Sequence, residues 1–471
     1  MKERILLFII VFGLGVFIYI FQSYFNTILG LAFLCTFMFI YVLFVNLSGK
    51  IQKRKLQKYP QIINSEFKPF VSIMVPAHNE ESVISNTIQN ILAMDYENFE
   101  IIVIDDRSTD NTATVIKELA EKYDNVHALI RDKDAFPGKS AVLNDAFQIA
   151  KGEAILVFDA DATVDPDFLT KLVPHIEPKD VGAVQARKVI RNKNVNLLTK
   201  CQNNEYTMDA YLQVGRDAVK GAVELRGNGE LIKREAIADI GGWNNYTLVD
   251  DLDMSTRLHI KGWDVRFCPD AIVYEEGIAY LKPLYRQRRR WLEGTIRRYL
   301  ENFEAILFSK DMSMKVRLDM LAYISEFIMP GWFLMELFIR IFKILAKDAP
   351  TNTLYSSIII GCVIGFGFFV GVRHALRKYD FMPRLDATFE AIITSIYLAI
   401  IWFPVVLFIC FKILFRKKDM NWGKTAHGLV LEEEASIKAF LKKELQKTKE
   451  YTKEYTEKYT EKIKQILEGE K

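Results

Sequence analysis

"AILVFDADATVDPD", residues 154–167, runs apolar for five residues and then meets Asp159, Asp161, Asp165 and Asp167. The apolar half reads as a strand that belongs in a core, and the acidic half as its solvent-facing tip. Aspartates two apart fall on the same side of an extended chain, which would place Asp159 and Asp161 together. Two carboxylates so placed repel each other unless a cation or a hydrogen-bond donor stands between them. An ordinary solvated turn is the plain alternative, and the surrounding sequence has to decide between the two.

Working outward, three more apolar runs precede this one, each followed by a helical pattern. "FVSIMVPA" leads into a helix predicted over Glu80–Met94, "FEIIVIDD" into one over Asp110–Tyr123, and "VHALIR" into one over Ser140–Ala150. "AILVFDAD" is the fourth strand. Strands alternating with helices predict a parallel, Rossmann-like α/β sheet joined by crossover helices. Ligands of such sheets sit beyond the carboxyl ends of the strands, where "HNEE", "DDRSTD" and "DADATVD" all fall. Gly138-Lys139-Ser140 has the end of a phosphate-binding P-loop, but the glycine required five residues earlier is Lys133, so that motif is excluded. Lys139 at a helix start still suits a phosphate, because the ammonium and the helix N-terminus favour the same charge.

Two further clusters carry chemistry. In "TLVDDLDMSTRL", Asp250, Asp251 and Asp253 open an amphipathic helix. They read either as helix-capping acids or as a source of a general base for an acceptor hydroxyl. "YRQRRRWLEGTIRRYL", residues 285–300, is basic and aromatic. Such a helix lies on an anionic membrane surface or turns some guanidinium groups toward a diphosphate and the acceptor, and different faces can do both.

The chain has 471 residues, half of them hydrophobic, and a net charge of +3, which gives no case for nucleic-acid binding from basicity. Five cysteines (Cys35, Cys201, Cys268, Cys362 and Cys410) form no C-x-x-C pair and read as buried thiols. Residues 5–21 and 27–45 are apolar runs close to the ~20 residues of a spanning helix. Arg4 before them and "KIQKRKLQK" after them predict a hairpin with both ends in the cytoplasm. Further apolar runs cover 318–345, 354–372 and 391–415. Charges interrupt the first, Pro330-Gly331 predicts a kink in it, and the basic residues flanking the others leave the number of C-terminal spans open. Tyr451, Tyr455 and Tyr459 share one face of a charged helical tail.

Taken in order, "VPAHNEE", "IDDRSTDNT", "GKSAVLNDA", "FDADA" and "VDDLD" with "QRRRW" resemble the membrane-bound family-2 glycosyltransferases, over roughly residues 66–310. The resemblance implies a GT-A-type, Rossmann-like cytoplasmic domain inserted between transmembrane helices, and a UDP-sugar donor. Carried over by motif, Pro76, Glu80, Asp105, Asp106, Lys139 and Asp159 would bind the nucleotide-sugar. Asp159 and Asp161 would hold Mg2+ or Mn2+. Asp251 would be the catalytic base, and Gln287, Arg290 and Trp291 the Q-x-x-R-W element. Asp250 stands where the family has Glu, and His78 where many relatives have Tyr. "VGAVQARKVI", "ELRGNGELIKRE" and "EEG" are most similar to bacterial glucosyltransferases that make β-glucosyldiacylglycerol. That implies an inverting transfer of glucose to a membrane lipid in the cell membrane, with processive synthesis of a poly-N-acetylglucosamine- or hyaluronan-type polymer as the alternative. The expected organisation is a transmembrane hairpin (1–48), a basic linker (49–65), the GT-A domain (66–285), interfacial helices with Q-x-x-R-W (286–317), a C-terminal transmembrane region (318–416) and a charged cytoplasmic tail (417–471).

Overall fold

The computed structural model describes residues 3–10, 12–13, 16, 66–347 and 354–416. The N-terminal hairpin after residue 16, the basic linker and the tail with its tyrosine repeat lie outside the described residues.

Strand β1 (Val71–Ala77) is buried along its whole length and lies between β2 (Phe99–Asp105) and β4 (Ala154–Val157), parallel to both. β3 (Val126–Ile130) adds to β2, also in parallel. Side-chain alternation splits β1 between two cores: Val71, Ile73 and Val75 face one, and Met74 the other. The first core is closed by α1 (Ile84–Leu92) and α2 (Thr112–Lys122), the second by α3 (Lys139–Ile149). Each fully buried isoleucine here contributes roughly 1.5–3 kcal/mol over its exposed state.

The predicted order of strands and helices holds in this half, with the first two helices shorter and the third shifted by one residue. Residues 81–83 form turns rather than the start of α1, and Glu80 instead donates its backbone N–H to Thr112 Oγ1 at 2.8 Å. The fourth strand also ends early. It stops at Val157, and a turn closed by Ala162 N–H on Asp159 O (3.1 Å) replaces the extended "FDAD" expected from alternation.

Beyond β4 the sheet departs from the purely parallel expectation. Its order is β3-β2-β1-β4-β7-β6-β8-β5, with β5 Thr163–Val164, β6 Val181–Ile190, β7 Glu230–Lys233 and β8 Asp264–Glu275. β7 runs antiparallel to both β4 and β6, while β6 and β8 are parallel. An antiparallel insertion presents its beginning where its neighbours end, so Glu230 pairs with Val157, the last residue of β4. The carboxyl ends of β1, β2, β4, β6 and β8 and the amino end of β7 therefore share one edge. Short helix α4 (Phe168–Leu172) follows β5, and α6 (Arg234–Asp239) follows β7 at the opposite edge, where Lys233 pairs with Ala154.

Long helices follow: α5 (Leu197–Val219), α7 (Asp250–Ile260), α8 (Leu281–Phe308), α9 (Met314–Leu345), α10 (Leu354–Tyr379) and α11 (Arg384–Phe415). α8 starts at Leu281, so one helix crosses the expected boundary at 285. Its Arg288, Arg297 and Arg298 are buried, which assigns much of this basic stretch to packing. α9 runs unbroken through Pro330-Gly331. All three C-terminal apolar runs are helical. Among the described residues α11 alone is long and apolar enough to cross a membrane. Of the thiols expected to be buried, Cys201 and Cys268 are, whereas Cys362 is exposed and Cys410 half-buried.

Candidate active site

Two helix N-termini meet at the shared edge. α3 begins with Lys139, after the loop that leaves β3 at this edge, and α7 with Asp250 and Asp251, after the loop that follows α6. Lys139 Nζ donates to Asp159 Oδ1 at 2.7 Å and to Gly227 O at 2.9 Å, and lies 3.8 Å from Asp250 Oδ2. Burial opposes its charge, but Asp159, Asp250 and Glu230 outweigh that and hold its pKa above the ordinary lysine value.

The loop before β7 completes the floor. Gly227 and Gly229 have φ of +77° and +71°, a left-handed backbone that side chains disfavour. A Cβ on Gly227 would stand 3.0 Å from Asp251 Oδ2, so the backbone approaches this carboxylate closely. Gln185 holds the loop in place: its Oε1 accepts from Arg226 N–H at 2.6 Å, and its Nε2 donates to Asn228 O at 2.8 Å. Asp251 Oδ1 accepts from Leu252 N–H at 2.7 Å. Burial, then the neighbouring Asp250, push the Asp251 carboxyl up to about 6, against the pull of the Leu252 N–H, Lys139 and Lys188.

Asp159 and Asp161 have different partners. The Asp159 side chain is 41% exposed at the cleft beside Lys139, whereas Asp161 is buried and its Oδ2 accepts from Glu276 N–H at 3.2 Å. A turn thus replaces the strand alternation expected here, with Asp159 facing Lys139 and Asp161 the Glu276 N–H.

On the β2 side, Asp106 is locked: its Oδ1 accepts from Arg131 Nη1 at 2.6 Å and from Arg107 Nε at 2.8 Å. Asp105 accepts from Ser108 N–H with Oδ2, and its buried Oδ1 has no hydrogen-bond partner among the described residues. Pro76 is buried in β1 beside Ile104 of β2. Glu80 is buried at the turn before α1.

The Q-x-x-R-W residues lie on α8. Gln287 Oε1 accepts from Arg288 Nη1 at 2.8 Å. Arg290 is half-buried with no hydrogen bond or ion pair to another described residue. The Trp291 ring has Arg288 at 4.3 Å and Lys188 at 5.8 Å from its centre.

The cluster around Lys139 thus holds Asp159, Glu230, Asp250 and Asp251, a surplus of hard oxygen donors with no thiolate or imidazole among them. That donor set suits a hard divalent cation. Among the described residues no three ligand-type side chains enclose an ion by themselves. A magnesium-like ion, however, needs only one or two carboxylates when substrate phosphates supply other ligands.

Residues 69–294 match the family model described as "Glycosyltransferase like family 2". The β-monoglucosyldiacylglycerol synthase of Nostoc sp. is 36% identical over 371 residues, covering 76% of each chain. The enzyme of the same name from Synechocystis sp. is 34% identical over 375 residues, covering 79% of this chain and 77% of that one. The chain belongs to glycosyltransferase family 2. A Staphylococcus aureus poly-β-1,6-N-acetyl-D-glucosamine synthase is 31% identical over 258 residues, covering 54% of this chain and 61% of its own. In fold, the chain is similar to a mannosyltransferase of Pyrobaculum calidifontis solved in complex with GDP-Man and Mn2+. The TM-score is 0.51 at 19% identity, over 79% of this chain and 99% of that one. The mixed α/β, Rossmann-like GT-A fold is therefore common to both.

Two residues of this glycosyltransferase site escaped the sequence reading. Glu230 is fully buried, neither carboxylate oxygen has a hydrogen-bond partner among the described residues, and burial, then Asp251 and Asp250, raise its pKa well above the ordinary value. Lys188 sits near the carboxyl end of β6, with Nζ 2.8 Å from Glu275 Oε2. Both lie on strands beyond the four that were read, and only knowledge that β7 runs backwards would have placed Glu230 at the site.

Proposed function

We propose that the protein moves glucose from UDP-glucose to the hydroxyl of diacylglycerol, with inversion, giving a β-glucolipid. The carrying observation is the meeting of Asp251, its carboxyl raised to about 6, with the Gly227 turn and the Lys139–Asp159 pair. The similarity to β-monoglucosyldiacylglycerol synthases over three quarters of the chain supports the lipid acceptor.

In this reading Asp251 is ionised at neutral pH and takes the proton of the acceptor hydroxyl. The oxygen attacks the anomeric carbon as the bond from that carbon to the diphosphate oxygen breaks, and UDP leaves with the electron pair. Lys139, and Arg290 from α8, balance the charge that develops on the departing diphosphate. The unpartnered Oδ1 of Asp105 is the acceptor available to the uracil, and Asp106 frames it through Arg107 and Arg131. Pro76 and Glu80 close the nucleotide side, and Gln287 and Trp291 the acceptor side. Asp159 and Asp161 would hold Mg2+ or Mn2+, which when bound would neutralise the diphosphate.

The reading places the protein in the cell membrane as a multi-pass chain with its catalytic domain in the cytoplasm. α11 is its best-supported span, since Phe389, Ile392, Ile396, Ile400, Phe408 and Phe411 form an exposed apolar stripe along it. The test is to offer radiolabelled UDP-glucose and diacylglycerol with Mg2+ to the purified protein in mixed micelles. Label should enter a chloroform-soluble β-monoglucosyl lipid. Label confined to a water-soluble polymer would overturn the lipid acceptor.

A further inference from the structure

Lys188 has a set of contacts that the mechanism above does not use. Its side chain is 13% exposed, and its Nζ lies 2.8 Å from Glu275 Oε2 and donates to Arg226 O at 3.2 Å. The same ammonium stands 5.0 Å from the ring centre of Tyr206 and 5.8 Å from that of Trp291. Tyr206 Oη donates to Glu275 Oε1 at 2.6 Å, so the glutamate is held from both sides. One point charge therefore ties together α5 through Tyr206, α8 through Trp291, the end of β8 through Glu275 and the turn before Gly227 through Arg226.

We propose that Lys188 is a positioning residue for the acceptor: it fixes the Trp291 ring and the Arg226–Gly227 turn, whose backbone approaches Asp251, and so sets where the acceptor hydroxyl meets the base. This rests on the glycosyltransferase reading of the site. An ammonium has three donors and no preferred plane, so it can join a carboxylate, a carbonyl and two ring faces at once. The contacts sort toward the acceptor. Lys139 holds Asp159 and the second carbonyl of that turn, Gly227 O, whereas Lys188 holds the first, Arg226 O, together with Glu275. Trp291 instead lies on α8, which packs against the apolar α11 through Leu292 and Ile296. Loss of the ammonium would leave Glu275 to Tyr206 and Asn228, release Trp291 on that side and loosen the turn whose backbone faces Asp251.

The test is a split between the two substrates. Lys188→Met keeps the stem and removes the charge, and Lys188→Arg restores a cation. In mixed micelles, Lys188→Met is expected to raise the KM for diacylglycerol about tenfold while the KM for UDP-glucose stays within about twofold, and Lys188→Arg to recover most of the loss. Equal changes in both KM values, an unchanged acceptor KM, or an arginine variant as impaired as the methionine one would overturn the proposal. If Lys188→Met does not fold, Tyr206→Phe takes its place. It removes one hydroxyl donor from Glu275 and retains the ring, so the acceptor KM should rise while the donor KM stays put, and an unchanged acceptor KM overturns the proposal. If wild-type protein labels a polymer rather than diacylglycerol, the lipid reading fails. The same split, measured with that polymer as acceptor, then still decides for or against Lys188.

Discussion

The raised carboxyl of Asp251 makes a pH profile the sharpest test of its assignment as base. A base works when ionised, so kcat/KM should rise with pH through the inflection and reach a plateau above it. With the inflection at about 6, about one tenth of the sites are ionised at pH 5, and kcat/KM there should lie about tenfold below the plateau. A carboxylate at its ordinary 3.8 would be more than about nine-tenths ionised at the same pH, giving a flat profile. The structure also names the levers. After burial, Asp250 is the main cause of the rise, and Lys139 opposes it. Asp250→Asn should therefore move the inflection down, and Lys139→Met should move it up in whatever activity remains. Because the two aspartates repel each other, the wild-type inflection belongs to the pair, and the asparagine variant isolates Asp251. The assay is initial-rate transfer from UDP-glucose at subsaturating substrate, from pH 5 to 8. A profile flat across that range, or an inflection unmoved in Asp250→Asn, would refute the assignment.

Three other outcomes follow from the same geometry. Asp251→Asn should lower turnover about 100- to 10,000-fold while UDP binding, measured by calorimetry, persists; near-normal turnover would remove Asp251 from the role. Gly227→Ala puts a Cβ 3.0 Å from Asp251 Oδ2 at a φ of +77°, so turnover should fall while the thermal midpoint drops only modestly; full activity would deny the close approach. Glu224→Gln strips the buried carboxylate that faces Arg298, Arg226 and Arg216, and should destabilise the fold by about 3–5 kcal/mol in denaturant titrations near neutral pH. Burial alone would raise Glu224, but Arg298, Arg226 and Arg216 win and hold it below its ordinary 4.5. Its contribution is therefore present above about pH 4.5 and lost as pH falls below, so the gap between wild type and variant should narrow in acid.

The strand-tip part of the site, with Lys139 and Asp159, was legible in the sequence because its parts are local. A strand body, an acidic tip and the start of the next helix recur three times before Asp159, and each fixes its neighbour's position by chain connectivity. Lys139 follows from that logic, since the first residue of a crossover helix must stand at the strand tips. Glu230 and Lys188 were not legible for the opposite reason. Glu230 reaches the site only because β7 is inserted backwards between β4 and β6. Lys188 reaches it because β6, ten residues long, carries its last residues beyond the Gln185–Glu230 pairing. Nothing in either local sequence reports a strand's direction. The basic run 285–300 misled in part: Arg288 and Arg298 on α8 are completely buried in ion pairs with Glu205 and Glu224, a role that charge composition cannot separate from membrane attraction.

Those buried pairs bear on how an apolar helix is fitted to a polar site. Glu205 on α5 accepts from Arg288 of α8 at 2.9 Å, and from Tyr397 Oη and Trp402 Nε1 of α11 at 3.1 and 2.9 Å. Burying an ion pair seldom adds stability over well-packed apolar groups, so stability alone does not account for it. Registry does: the exposed stripe of α11 is apolar along its length and would allow the helix to slide or turn, whereas these directed bonds permit one height. A second clamp acts ten residues on, where Lys412 of α11 meets Glu293 of α8, at about 15 Å along the helix axis. Arg288 then stacks on Trp291 at 4.3 Å. The depth of α11, and with it of any bilayer it crosses, is thereby coupled to the Trp291 indole, which the proposed function puts on the acceptor side. Glu205→Gln should accordingly weaken use of a lipid acceptor more than binding of UDP, and equal loss of both would show the clamp to be scaffolding alone.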